Sequence, residues 1–171
     1  KDVLDMDGFG PAVIDYLNQV KNVNFMFELL DESNYDDMIY EEGFGEASRD
    51  KLLASIHKVK SGTELYRLIP AMMIEGIGRT IGKKIAEINN VEDIYNGEIE
   101  FNPTIGEKAR EIIREKLLSP EGIDYFKDMT KGIIIINTMN HRKSDVFKGK
   151  TFCISGNLPT TKDKIEKVIR E

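Results

Sequence analysis

Cysteine, histidine and tryptophan are almost missing from this sequence. It contains one cysteine, Cys153, two histidines, His57 and His141, and no tryptophan. A single thiol cannot form a disulfide within the chain, and these three side chains cannot supply the four ligands of a structural zinc site. A disulfide-stapled fold and a zinc domain built from this chain alone are therefore excluded. A reducing cytoplasm is the expected compartment, and we expect this chain to hold no cofactor.

Long hydrophobic runs are lacking as well. No uninterrupted run exceeds four hydrophobic residues, as in Ile133 to Ile136, whereas crossing a bilayer takes about 20. The N-terminus has no charged segment followed by an apolar one, so we expect neither export nor a membrane partner. The 171 residues, of which 40% are hydrophobic, can close a globular core. Because the chain begins at Lys1 and ends within a helical pattern, we expect it to belong to a longer protein.

Positive charge is scarce in the first part of the chain. Residues 1–48 carry two basic and 12 acidic side chains, whereas residues 49–171 carry 22 basic and 18 acidic ones, for a net charge of -6 overall. Since anions bind where lysine and arginine are available, a polyanion should contact the later part. The densest acidic stretch, residues 31–42, is interpreted as a solvated face with carboxylates at helix starts rather than as a metal or protein site.

A short glycine pattern recurs along the chain. Asp7-Gly8-Phe9-Gly10 is followed after 35 residues by Glu42-Gly43-Phe44-Gly45, and after 33 more by Glu75-Gly76-Ile77-Gly78. A degraded fourth copy, Pro103-Thr104-Ile105-Gly106, lies 28 residues further on and has threonine in place of the first glycine. Repetition of one sequence pattern indicates a repeated structural unit.

Amphipathic segments follow each copy, and each unit is expected to form a helix, a tight glycine turn and a second helix. A connecting helix is predicted after a capping box at Ser61 to Glu64, with Pro70 bending or shortening it. A last helix should begin at Pro120, with Ser119 as its cap, and stop at Gly132. Ile133 to Ile136 can be a strand or a helix exit, and periodicity does not decide between them.

The glycine turns suit phosphate binding. Glycine permits positive φ and close approach, and the unpaired amides of the following helix favour an anion. A single copy would more readily be read as a plain interhelical turn, but repetition favours a ligand. Two such turns could contact both DNA strands across a minor groove without reading bases. The predicted phosphate-binding residues are the glycines Gly43, Gly45, Gly76, Gly78 and Gly106 and the cations Arg49, Lys51, Arg79, Lys83, Lys84, Lys108 and Arg110. The first turn has only acidic neighbours, so Gly8 and Gly10 are assigned a scaffold role.

The C-terminal part differs in composition from the rest. We therefore divide the chain into a helical domain over residues 1–136, a polar linker over 137–148 and an α/β start over 149–171. The last segment predicts one strand, a turn and one helix, which cannot close a core by themselves. The predicted fold class is mainly α, with a truncated α/β element at the end.

Gly8-Phe9-Gly10, Gly43-Phe44-Gly45 and Gly76-Ile77-Gly78, followed by the segment from Gly149 to Pro159, resemble the C-terminal part of bacterial-type NAD-dependent DNA ligases. The resemblance implies a tandem helix-hairpin-helix domain of four hairpins that grips double-stranded or nicked DNA, and then the incomplete start of a BRCT domain. It also implies a parent enzyme of DNA replication and repair that uses NAD and a divalent metal. The lysine nucleophile, the zinc site and the adenylation and OB domains that this part would contact are implied to lie upstream.

Two other functions are open from the residues. The hairpins could belong to a stand-alone binder of DNA structures or a nuclease accessory module, or the chain could be a scaffold for protein interactions. Catalysis by this chain alone is not expected, because Ser155, His57, His141 and Cys153 are isolated residues without the spacing of a catalytic triad or metal site. Accordingly we assign no catalytic residue and no metal ligand.

Overall fold

The structure is a computed structural model, and it describes residues 3–138, which are mainly helical, as predicted. Its helices are α1 (Pro11–Gln19), α2 (Glu46–Ser61), α3 (Leu65–Ala71), α4 (Arg79–Ala86), α5 (Val91–Tyr95), α6 (Glu107–Ile112) and α7 (Pro120–Thr130). Two short strands, β1 (Thr63–Glu64) and β2 (Ile135–Ile136), pair in parallel. No helix within residues 3–138 has the length and hydrophobicity to cross a membrane. The segment predicted as a BRCT start, and the linker from residue 139 onward, lie outside the described residues.

One hydrophobic core joins the helices. Its fully buried members include Leu17 of α1, Ile56 of α2, Leu68 of α3, Ile85 of α4 and Phe126 of α7. Each of these residues belongs to the apolar face of its helix, so the periodic pattern in the sequence is what brings the helices together. Between α1 and α2 the chain instead forms three short 3-10 turns, Glu28–Leu30, Glu32–Tyr35 and Met38–Tyr40.

The acidic stretch over residues 31–42 serves local structure. Asp31 accepts a hydrogen bond from the Ser33 amide at the start of a 3-10 turn, and Glu32 accepts from Lys60 at 2.8 Å and contacts His57 Nε2 at 3.1 Å. The hydrogen bond from Lys60, and then that from His57, lowers the pKa of Glu32. Across the described part of the chain, no group of three or more histidine, cysteine, aspartate or glutamate side chains could hold a metal ion.

The predicted capping box at Ser61 is wrong. Ser61 is the last residue of α2, and its hydroxyl donates to Lys58 O at 2.9 Å. Thr63 turns its hydroxyl back to Val59 O at 2.9 Å, and its amide donates to Ile134 O at 2.9 Å. The chain therefore leaves α2 as strand β1. The partner of β1 is β2, which lies within Ile133 to Ile136, the segment for which sequence periodicity did not decide between strand and helix exit. Pro70 lies one residue before the end of α3, which is short, as expected.

The expected helix on both sides of every glycine turn is found only in part. The third turn lies between α3 and α4, but the second follows the 3-10 turn Met38–Tyr40, and residues 3–9, which contain the first turn, include no helix. The fourth turn is separated from α5 by the irregular residues 96–103. After α6 the helix continues as a π-helical segment, Ile113–Leu117. The last helix agrees with its prediction, because Ser119 Oγ accepts from the Gly122 amide at 3.0 Å and Pro120 is the first helical residue.

Buried Asn89 links the end of α4 by hydrogen bonds to the segment that leads into the fourth turn. Its Nδ2 donates to Ile85 O and Glu100 O, both at 2.9 Å, and its Oδ1 accepts from the Glu100 amide at 2.7 Å. Asn137 Nδ2 donates in turn to Asn89 O at 2.6 Å. Because removing this amide leaves buried backbone groups unpaired, we expect Asn89→Ala to lower the free energy of unfolding by about 2–4 kcal/mol.

Urea unfolding followed by circular dichroism measures this change. The matched control is Asn96→Ala at an exposed position, which should stay within about 0.5 kcal/mol of the parent. Equal unfolding free energies for the two variants would contradict the assigned role of Asn89.

Candidate nucleic-acid interface

The glycine turns share one backbone geometry. The first glycine has φ of +87° in Gly8, +87° in Gly43 and +85° in Gly76, a region that L side chains rarely adopt. The second glycine of each copy, and Gly106 in the fourth, is the N-cap of the following helix, with no side-chain cap hydrogen bond. A glycine at the N-cap offers no side-chain acceptor to the first amides of the helix that follows.

The residue before each N-cap glycine packs against the helices. Phe9, Ile77 and Ile105 are 3%, 2% and 2% exposed. Phe44 is half-buried, and its ring centroid lies 5.5 Å from that of Tyr16 in α1. With the middle residue held inside, the backbone amides of the turn remain at the surface.

The turns form two reciprocal pairs. A Cβ at Gly8 in the first turn would lie 3.1 Å from Leu52 of α2, and Phe44 in the second turn packs on α1. In the same way, a Cβ at Gly76 in the third turn would lie 3.1 Å from Ile112 of α6, and Lys84 of α4 donates to Thr104 O of the fourth turn at 2.8 Å. Each turn therefore contacts the helix that follows its partner, which is an approximately two-fold arrangement.

The fourth turn is built without its first glycine. Asn102 Oδ1 accepts from both the amide and the hydroxyl of Thr104, at 3.0 and 2.8 Å. Arg110 Nε donates to Ile105 O at 2.8 Å, and its Nη2 lies 3.4 Å from the carbonyl oxygens of Asn102 and Pro103. Side-chain hydrogen bonds thus stabilise a turn that the other copies form with a glycine of positive φ. Two of the cations predicted to bind phosphate, Lys84 and Arg110, take part in this scaffold.

Hydrogen bonding separates the first turn from the other three. In the first, the Gly10 amide donates to Gly8 O at 2.8 Å. In the other three turns, the hydrogen-bond donor is the residue before the N-cap glycine. The amides of Phe44, Ile77 and Ile105 each donate to the carbonyl oxygen three residues earlier in the chain, at 3.1, 3.0 and 2.9 Å. Within residues 3–138, the N-cap amides of these three turns donate to no backbone carbonyl. They are the donors available to an anion, whereas that of the first turn is already used.

The N-cap glycines face open space. A Cβ placed on Gly10, Gly45, Gly78 or Gly106 would meet no atom within 4 Å, and all four have extended backbone, from φ -142° to -66°. Neither the packing nor the backbone angle of these positions requires glycine. At Gly45, Gly78 and Gly106, a flat surface that lets a ligand reach the helix amides would require it.

The remaining predicted cations differ in their exposure and in their contacts. Arg79 and Lys83 are exposed on α4, and Lys108 is exposed on α6. Arg49 pairs with Asp50 at 2.9 Å, and the stem of Lys51 lies beside Gly8 of the first turn rather than at the second, 3.6 Å from a Cβ placed there. Proximity in sequence therefore assigned Lys51 to the turn that precedes it, while packing places it at the partner turn.

Sequence patterns missed three further polar residues, Tyr66 and Arg67 at the start of α3, beside Lys83 of α4, and Lys58 near the end of α2. Lys83 Nζ and the Arg67 guanidinium carbon lie 5.4 and 5.9 Å from the centre of the Tyr66 ring. The adjacent tyrosine and arginine at the start of α3 were a signal in the sequence, because aromatic rings beside cations are common at nucleic-acid contacts.

Comparison with known proteins gives a consistent result. The chain is 31% identical to the DNA ligase of Aquifex aeolicus over 92% of this chain and 22% of that protein. It is 28% identical to the DNA ligase of Thermoanaerobacter sp. over 100% of this chain and 26% of that protein. With the DNA ligase of Persephonella marina it shares 28% identity over 100% of this chain and 24% of that protein.

No protein-family model and no solved structure matches the chain. The chain spans about a quarter of the length of the curated relatives named above. Similarity of this extent, along nearly the whole chain and to the DNA ligases named above, confirms the resemblance indicated by the glycine motifs: the chain is similar to one portion of those DNA ligases.

Proposed function

We propose that this chain binds double-stranded or nicked DNA through backbone phosphates in the minor groove, as the DNA-clamping part of an NAD-dependent DNA ligase. The parent enzyme would act in replication and repair, with its adenylation and OB domains, its NAD site and its zinc site in the remainder of the protein. In that assignment the four glycine turns are the hairpins of a tandem helix-hairpin-helix domain, and residues 149–171 begin a BRCT domain.

The observation that carries the proposal is the open approach to the N-cap amides. Gly45, Gly78 and Gly106 present donors that no carbonyl of the described residues accepts, on surfaces where even a Cβ would meet nothing within 4 Å. Amides at a helix start, aligned with the helix dipole, bind an anionic oxygen without a side-chain charge. This feature accounts for DNA binding by a chain whose net charge is -6.

The reciprocal pairing of the turns supports the minor-groove mode. An approximately two-fold pair of anion sites matches the two antiparallel strands, whose phosphates are also related by two-fold symmetry. The third and fourth turns are the better pair, because Arg79, Lys83 and Lys108 follow them closely in sequence. The first turn lies in sequence among Asp5, Asp7 and Asp15, and the cation packed beside it is Lys51. We therefore assign the main contact to the third and fourth turns.

Salt and sequence dependence test the proposal together. Backbone contacts release counterions but read no base edges, so the affinity for duplex should fall steeply with KCl and differ less than about threefold between unrelated sequences. Fluorescence anisotropy with labelled nicked and intact duplexes measures both quantities.

A strong preference for one sequence, or the absence of duplex binding at low salt, would contradict the proposal. Absence of binding would favour the protein-interaction scaffold. Binding combined with a parent gene that lacks an adenylation region would favour the stand-alone DNA-structure binder.

A further inference from the structure

A polar cleft opens near α4, the helix that follows the third turn. It has a volume of about 280 Å³ and lies between the C-terminal end of α2, β1 and the start of α3. Its polar lining consists of Lys58, Thr63, Glu64, Tyr66 and Arg67. None of these residues belongs to a glycine turn, so the cleft is a separate feature from the amide sites.

Arg67 is held in place while part of its guanidinium is left unpaired. Its Nε donates to the Tyr66 hydroxyl at 3.3 Å, and its guanidinium carbon lies 5.9 Å from the centre of the Tyr66 ring. Within residues 3–138, no carboxylate or carbonyl accepts from its two terminal nitrogens. Arg49 and Arg114, in contrast, each donate to a carboxylate at 2.9 and 3.0 Å. A half-buried, oriented and unpaired guanidinium is suited to a planar anion with two acceptor oxygens.

The charges facing the cleft favour an anion. Lys58 lines it and pairs with Asp5 at 2.9 Å, with both side chains more than half exposed. Among residues 3–138, the lining carboxylate is Glu64, which accepts from the hydroxyl of Thr138 at 2.9 Å and from its amide at 3.4 Å. In the described part of the lining, two cations thus face one carboxylate that already has donors, and one of these cations, Lys58, also pairs with Asp5 outside the lining.

The cleft lies beside α4. Lys83 Nζ of α4 lies 5.4 Å from the centre of the Tyr66 ring, which lines the cleft. Arg79 is the first residue of α4, directly after the third turn. Close packing of α3 and α4 fixes this arrangement, since a Cβ at Gly82 would lie 2.6 Å from Tyr66 O.

We propose that Arg67, positioned by Tyr66 and assisted by Lys58, binds a phosphodiester of the DNA backbone beside the phosphate held by the third turn. The terminal nitrogens of Arg67 donate to its two non-bridging oxygens, and Lys58 exchanges its exposed partner Asp5 for the phosphate. This inference rests on the proposed DNA binding and extends the contact from the turn to the cleft.

Arg67→Gln tests the assignment in the full 171-residue chain. At low salt the variant should bind a labelled nicked duplex about tenfold more weakly, because a charge-assisted contact is lost. The slope of log affinity against log KCl should become shallower by roughly 0.9, the effect of one phosphate. A residue that only supports the fold would lower the affinity without changing the slope.

Three further variants complete the test. Lys127→Gln removes another cation that lies over a tyrosine, 6.0 Å from the ring centre of Tyr95 but outside the cleft, and should leave the slope unchanged. Arg67→Lys keeps the charge, so it should retain the slope and lose affinity through loss of the planar fork. Tyr66→Phe should weaken binding less than Arg67→Gln. Thermal unfolding followed by circular dichroism verifies that each variant folds.

The outcomes separate the two proposals. If the parent chain binds duplex and Arg67→Gln keeps its full salt slope, the cleft assignment is wrong and the turn contacts stand. An equal change of slope in Lys127→Gln would also overturn it. If the parent chain does not bind duplex at all, the proposed function itself fails. Should Arg67→Gln not fold, unchanged affinity in both Arg67→Lys and Tyr66→Phe would contradict the inference.

Discussion

Replacing Gly78 by valine is expected to weaken binding to nicked duplex at least about tenfold, because its side chain would occupy the approach to the α4 amides and remove a charge-assisted hydrogen bond. Folding should be retained. Gly78 has extended backbone, φ -95° and ψ -170°, which valine adopts readily, and its Cβ would meet no atom within 4 Å. Fluorescence anisotropy and circular dichroism on the same samples measure binding and folding separately.

Gly10→Val is the matched control. Gly10 has the same extended conformation and the same open surroundings, so the steric change is equivalent. Its amide already donates to Gly8 O at 2.8 Å, and the next residue, Pro11, has no amide hydrogen to offer. We expect its affinity to stay within about twofold of the parent, since no phosphate contact is lost. Equal losses in the two variants, with both folded, would contradict the unequal roles of the first and third turns.

Gly122→Ala is expected to destabilise the fold. Gly122 lies in the first turn of α7, where an added Cβ would overlap the carbonyl oxygen of Lys116 and lie 2.9 Å from that of Leu117. Both obstacles are backbone atoms of the π-helical segment and its end, which cannot rotate away as a side chain would. We expect the free energy of unfolding to fall by about 3 kcal/mol. A larger loss would appear as the absence of a cooperative unfolding transition.

Urea unfolding compares this variant with Gly45→Ala. A Cβ at Gly45 meets nothing within 4 Å, so the substitution should cost less than about 1 kcal/mol, the weaker N-cap preference of alanine. Comparable unfolding midpoints for the two variants would show that α7 can move away from the π-helical segment.

Local signals predicted the helix starts well and the chain's long-range pairing poorly. Gly10, Gly45, Gly78 and Gly106 are the N-caps that the repeated motif indicated, because a glycine turn and an amphipathic stripe specify a helix start within a few residues. The capping box at Ser61 was a misreading, since the following residues pair with a strand more than 70 positions later in the sequence. A local pattern contains no information about such a partner.

The same limit applies to the candidate site. The glycines and the cations of α4 could be named from the motif, because the chemistry repeats at a fixed place in each copy. Arg67 was missed although it follows Tyr66 in the sequence, because its unpaired nitrogens depend on which carboxylates lie nearby in the fold. Lys84 and Arg110 were recognised as cations near the fourth turn, but their hydrogen bonds to its carbonyl oxygens follow from the missing glycine at Thr104.

The parallel pair of β1 and β2 has a consequence for the order in which the protein opens. Thr63 pairs with Ile135, and the Ile134 amide donates to Lys60 O at 2.9 Å, so the third and fourth turns lie in a segment whose two ends are joined. Such a segment gains or loses its native contacts as one cooperative unit, because releasing either end frees the whole loop. Amide protons of α4 and α6 should therefore exchange with solvent together in hydrogen-exchange measurements, while α1 can open separately. DNA held by that segment would slow exchange in both helices at once, although each contributes only one turn to the contact.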